Sequence, residues 1–138
     1  PMDVLMEIAN EILGDVEGFF ADFSFTDFLQ NPMPLLLRVE KLLADNLDFY
    51  RRINLNTASI GFTDQIKKIL IEYISSNKSV PENLRENPHF TVALELFAGG
   101  LISVYLGFVL GTIRASAREI TETISILISQ SASLLFTK

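Results

Sequence analysis

Apolar residues recur at three- and four-residue spacing along most of this chain, and that spacing predicts helices. In residues 2–23 the apolar positions are Val4, Leu5, Ile8, Ile12, Leu13, Val16, Phe19, Phe20 and Phe23. Asp3, Glu7, Asn10, Glu11, Asp15 and Glu17 fall mostly on the other face, so the segment reads as one helix. Ser24 and Asp27 are helix-start residues and place a short turn after it. Asn31-Pro32-Met33-Pro34 is a second break. A helix over 34–44 follows, with proline in its first turn, and then a short helical piece over 47–54. The next long helix covers 59–77. Phe62, Ile66, Ile69, Leu70, Tyr73 and Ile74 form its stripe, and Asp64, Lys67, Lys68 and Glu72 its wet side. Residues 75–88 read as a polar loop punctuated by Pro81 and Pro88.

The last third differs in kind. Two apolar stretches, 89–111 and 116–136, are joined by one short turn, with Gly111 as the C-terminal cap of the first. From Leu96 to Leu110 the first reads LFAGGLISVYLGFVL, without a charge. A helix that is apolar on all sides must be covered on all sides, by its own domain, a partner chain or lipid. The second puts Ile120, Ile124, Leu127, Ile128, Ser131, Leu134 and Leu135 on one face, with Ile126 off that stripe. No segment alternates with period two. The expected fold is all-α, a single domain over 1–138 of roughly six helices, whose short connections favour antiparallel neighbours.

Composition narrows the function. The 138 residues carry a net charge of -6, and 49 % are hydrophobic. An acidic chain with a pI near 4.7 makes a poor nucleic-acid binder by itself. There is no Cys, hence no disulfide or thiolate chemistry. The acidic start PMDVLMEIANE lacks the basic region of a secretion signal, so a cytoplasmic location is expected. Residues 92–113 carry only Glu95 and approach the length of a membrane span. Against a span stand Gly99, Gly100, Gly107 and Gly111, and the lack of an aromatic belt at both ends or of a flanking lysine cluster.

Catalytic candidates are few. His89 is the sole histidine and sits beside Pro88 at a helix start, with no partner acid or base signalled. No metal-ligand or phosphate-cradle pattern occurs, so no enzyme activity, metal or cofactor is expected. Arg51-Arg52 and the pair Arg114 and Arg118 read as solvated faces and helix ends. Gly107-x-x-x-Gly111 reads as a site of close helix packing. Glu95 has two readings, a wet position in the early turns of its helix or a polar contact inside a ligand cavity. The cluster Phe19, Phe20, Phe23, Phe25 and Phe28 likewise reads as core or as cavity lining.

In this order the segments resemble the C-terminal effector-binding and dimerisation region of tetracycline-repressor-like (TetR/AcrR) regulators. MDVLMEIANEILGDVEGFF is similar to the long helix that follows the DNA-binding head in that family. FYRRI and FTDQIKKILIEYI resemble the helices that wall the ligand cavity. ELFAGGLISVYLGFVLG and SAREITETISILISQSASLLF are similar to the two terminal helices that pair across the dimer. Many members carry a Trp near the end of the penultimate helix, where this chain has Phe108. The family's basic helix-turn-helix head is not in this sequence, which starts where the connecting helix should begin.

The resemblance implies a homodimeric bacterial regulator domain that senses a small molecule and contacts DNA only through such a head. It implies a cavity for a hydrophobic or aromatic effector lined by Val16, Phe20, Phe23, Tyr50, Phe62, Ile66, Phe97 and Leu101, with Glu95 as polar contact. It implies that the last two helices of each subunit form a four-helix bundle through Gly100, Val104, Phe108, Ile120, Ile124, Leu127, Ile128 and Leu135. Residues 2–23 would be the lever between cavity and head. The alternatives are a helical dimerisation module with a filled core, and a small membrane protein.

Overall fold

A computed structural model describes the backbone of residues 2–53 and 58–136, and the side chains of residues 4, 6–52 and 61–132. Among the described residues it contains eight helices and no strand. They are α1 (Met2–Gly18), α2 (Phe25–Gln30), α3 (Met33–Asp45), α4 (Leu47–Ile53), α5 (Ala58–Ser75), α6 (Glu82–Arg85), α7 (Pro88–Leu110) and α8 (Ala117–Phe136). The all-α expectation holds. The two additional helices are α2 and α6, each under two turns long and too short to show a hydrophobic period.

The first helix is shorter than its apolar pattern implies. It ends at Gly18, where the backbone tightens: Phe20 N–H donates to the Glu17 carbonyl and Ala21 N–H to that of Gly18. Such three-residue bonds close the last turn of a helix, and glycine is a weak helix former. The chain then turns so that Phe19, Phe20 and Phe23 point toward α2 and the core rather than along α1. Ser24 caps α2, its hydroxyl accepting from Asp27 N–H.

Two further caps fix the ends of the long helices. The Asn87 side chain accepts from His89 N–H at the start of α7, and Gly111 closes α7 in the left-handed conformation with φ 78°. At the start of α8, Ser116 Oγ accepts from Glu119 N–H, while Glu119 carboxylate accepts from Ser116 N–H. This reciprocal box satisfies two otherwise orphaned donors. It also holds the Glu119 carboxyl below its usual range, through those bonds with Ser116.

The supposed loop 75–88 is stapled to the rest. Ser79 Oγ accepts from Phe25 N–H at 2.7 Å, and Asn77 Oδ1 accepts from both Ser79 N–H and Ser79 Oγ–H. Val80, in the same segment, is buried. In the packing, α7 lies against α5 and α8, α8 against α3, and α1 against α5. The core is one cluster that runs from Ile12 and Val16 through Phe49, Tyr50 and Phe62 to Tyr105, Val109 and Ile120.

Candidate functional site

Seven helices and one turn meet around an apolar cavity of about 170 Å³. Val16 and the turn residues Phe19 and Phe20 close one end. Phe25, Phe28 and Leu29 of α2 stand beside them, three and four residues apart and so on one face. Leu36, Val39 and Leu43 of α3 and Ile66 and Leu70 of α5 form the sides. The α7 wall includes Phe97, Ala98, Leu101 and Tyr105, and Ile128 and Ala132 of α8 complete the lining. Among the described residues no Asp, Glu, Lys, Arg, His, Asn or Gln lines it. Its polar groups are the hydroxyls of Tyr50, Thr63, Tyr105 and Ser131.

Burial pushes the Tyr50 hydroxyl well above the ordinary phenol range, and the nearby Asp15 charge adds to the shift. Burial also raises Tyr105, against the opposing effect of its hydrogen bond with Thr121. Both wall phenols are therefore neutral at physiological pH. Tyr105 belongs to a polar chain that leads outward. Its oxygen lies 2.6 Å from Thr121 Oγ1, and Thr121 Oγ1–H donates to Glu40 Oε1 at 3.1 Å. Arg118 holds the other Glu40 oxygen at 3.0 Å. The Arg118 hydrogen bond lowers the Glu40 pKa, overcoming the effect of burial, with smaller contributions from Thr121 and the Arg118 charge. An ionised carboxylate only accepts. Thr121 must therefore give its single proton to Glu40, and Tyr105 must give its proton to Thr121. Thr121 is fully buried, and among the described residues no buried side-chain nitrogen or oxygen lacks a partner.

Of the nine residues expected at the cavity, Val16, Phe20, Tyr50, Ile66, Phe97 and Leu101 line it. Three do not. Phe23 packs edge-on to Phe20, with ring centres 5.1 Å apart, behind the wall. Phe62 is buried against Phe49 and Tyr50, one layer further in. Glu95 lies outside the cavity, where its 55 % exposed side chain pairs with Lys67 at 2.8 Å. The periodic pattern marks apolar faces but not which neighbour each face meets, so the α3 wall was not foreseen. The spacing of Phe25, Phe28 and Leu29 could have signalled the α2 wall.

The outer side of α7 carries a second apolar surface, and α8 exposes two apolar side chains. Val92 is 66 % exposed, Leu96 68 % and Leu110 50 %. With Gly100 and Ser103, also exposed, they follow one another along a single stripe of α7. On α8, Ile126 is 61 % exposed and Leu127 53 %. Among the expected interface residues, Gly100 and Leu127 are exposed. Ile120 and Ile128 are instead buried in the domain, and Val104, Phe108 and Ile124 are half-buried against its core. Leu135 lies outside the residues whose side chains are described. Ile126, off the expected stripe, points outward because α8 turns its Ile120, Ile124 and Ile128 side inward.

Comparison with models of protein families, with curated proteins and with solved structures finds no match to this chain.

The glycines of α7 have different surroundings. A β-carbon on Gly107 would lie 2.6 Å from Ile113 Cδ1. The chain after α7 folds back there, with Thr112 and Ile113 N–H both donating to the Gly107 carbonyl. Gly107 thus admits the turn that leads to α8, not a neighbouring helix. A β-carbon on Gly100 would meet nothing within 4 Å. His89 is exposed at the start of α7. Among the described residues no group of His, Asp and Glu is arranged to hold a metal ion.

Proposed function

We propose that the chain is a ligand-sensing, homodimerising regulatory domain of the tetracycline-repressor-like kind, in which a small apolar molecule in the cavity biases the position of α1. The observation that carries this reading is the double role of α7. Its inner side walls the cavity, while Val92, Leu96 and Leu110 on its outer side are apolar and uncovered. An exposed apolar stripe of this kind marks an interaction surface. A second copy related by a two-fold axis would meet it with the same stripe and with Ile126 and Leu127, giving a bundle of two helices from each chain.

The cavity also touches the lever. Val16 stands in the last full turn of α1, and Phe19 and Phe20 follow directly. A ligand that binds two arrangements of these residues unequally shifts the population between them, and so the direction of α1. The opposite end of α1 exposes Val4 and Met6. In the family resembled, DNA-binding heads precede this helix.

One observation favours a second reading. Over its most apolar window α7 has a mean hydropathy of 1.9, and by length and composition it is long enough to cross a membrane. Only 17 % of that window is buried. Its Phe90, Ala93, Ala98, Tyr105 and Val109 are nevertheless packed inside the domain, which favours a partner on one side over lipid on all sides.

The test uses the absence of native cysteine. A spin label on Met6→Cys places one probe per chain near the start of α1. Pulsed electron resonance should give one inter-chain distance, and saturating toluene should move it. No inter-chain distance would contradict the dimer. An unmoved distance with toluene bound would contradict sensing and leave a plain dimerisation module.

A further inference from the structure

We infer that the cavity selects uncharged, hydrocarbon-rich molecules of about the bulk of one substituted aromatic ring, and rejects the carboxylate or the amine built on the same skeleton. This inference rests on reading the cavity as a ligand site and names the chemistry of what enters it.

Size sets the first limit. A cavity of about 150 Å³ lined by Leu, Ile and Phe stays dry and takes up benzene. The cavity of about 170 Å³ has the same kind of lining and similar room. Drug-sized ligands occupy sites of roughly 300 Å³ and more, so a multi-ring skeleton would not fit wholly inside without movement of the walls.

Charge sets the second limit. An ion in this cavity would exchange water for side chains that offer no counter-charge, at a cost of several kcal/mol. Two ion pairs near the wall are already formed, Arg38 lies over the Phe19 ring, and the Asp15 charge near Tyr50 opposes an anion. Glu40, which Tyr105 reaches through Thr121, is held by Arg118 and Thr121. Lys67 and Glu95, on the outer edge of α5 and α7, neutralise each other. A cationic ligand would have to displace Arg118 to reach Glu40. A carboxylate would find the Tyr105 proton committed to Thr121. Neutral hydrocarbon meets none of these obstacles, and its transfer from water is the favourable step.

Toluene, benzoate and benzylamine share one ring and differ in charge at neutral pH. Saturable binding of each to the full chain is followed by ligand-observed NMR. Toluene should bind, with benzoate and benzylammonium about 100-fold weaker or worse, since each 1.4 kcal/mol of ion-burial cost is tenfold in affinity. Ala98→Leu, which projects a larger side chain from the α7 wall, should weaken toluene binding while circular dichroism shows the helices intact. Should that variant not fold, Ala93→Val fills the same wall with less added bulk and should act in the same direction.

A charged probe that binds as well as toluene would overturn the selectivity while leaving the cavity as a ligand site. Absence of saturable toluene binding, or toluene affinity unchanged in a folded wall-filling variant, would overturn the inference itself. None of these outcomes decides dimerisation, which the spin-label distance reports without any probe present.

Discussion

The two sides of α7 make opposite use of the same composition. On the inner side Phe97, Ala98, Leu101 and Tyr105 pack around a cavity that seven helices line with apolar side chains. On the outer side Val92, Leu96 and Leu110 are equally apolar, yet half or more of each faces solvent. In an amphipathic helix such as α3 one face is polar and needs no cover. In α7 hydrophobicity cannot say which side is the inside, because it is the same on both. The difference lies in neighbours: α5 and α8 cover one side, and among the described residues nothing covers the other.

The sharpest way to break this comparison is to place one charge on each side. Ala98→Asp buries a carboxylate with no partner. It should destabilise the fold by about 3 kcal/mol or more, read as an earlier urea midpoint. Leu96→Asp, two residues away on the outer stripe, should leave the helical signal of the separated chain intact and act on association. Equal loss of fold in both variants would mean that the two sides are not distinct.

The polar chain behind the cavity wall sharpens the inner half. Thr121→Val keeps the shape but strands the Tyr105 hydroxyl and removes a donor from Glu40. The expected loss is about 1–3 kcal/mol, measured by urea unfolding. The same chain has a pH signature. Because folding lowers the Glu40 pKa below its ordinary value near 4.5, its contribution is complete above that value and is lost as pH falls through the lower, folded one. Glu40→Gln should therefore flatten the stability profile on the acid side while changing little of its slope near neutrality. An unchanged acid limb would remove Glu40 from the account.

A finer contrast uses the glycines. In the Leu96→Asp/Leu127→Asp background, where association does not intervene, Gly100→Ala should stabilise the fold by about 0.5–1 kcal/mol, because alanine is the better helix former and space is open. Gly107→Ala should end about 1–2 kcal/mol below it, since its methyl meets Ile113. Smallest of all, Glu95→Gln should leave both melting temperature and toluene affinity where they were, because its ion pair with Lys67 is exposed and lies off the wall.

The long helices were legible because each repeats its apolar residues over several turns, and the ends of α7 because Pro88 and Gly111 are strong local signals. The end of α1 was not legible. Its apolar period continues through Phe19, Phe20 and Phe23, and only the tertiary position of those rings shows that the backbone has already turned at Gly18. The cavity was partly legible: residues in helix interiors such as Val16, Ile66 and Leu101 could be placed from the pattern and the family likeness together. Phe62 and Phe23 fell one layer away, because side-chain type does not distinguish a wall from the core behind it. Rotation of α8 was the largest misreading. Its apolar stripe from Ile120 to Ile128 could have faced a partner or its own domain, and contact with α3 decided for the domain. Ser116 and Glu119, three residues apart, carried an N-terminal signature that was readable in advance.

The central claim is that a second copy covers the outer side of α7 and α8. Absolute mass in solution, by light scattering on a size-exclusion column without detergent, tests it most directly. For the unmodified chain the account predicts twice 15.5 kDa, and for Leu96→Asp/Leu127→Asp a folded species of 15.5 kDa. A monodisperse monomer of the unmodified chain, with Leu96 and Leu127 as exposed as the structure places them, would contradict it.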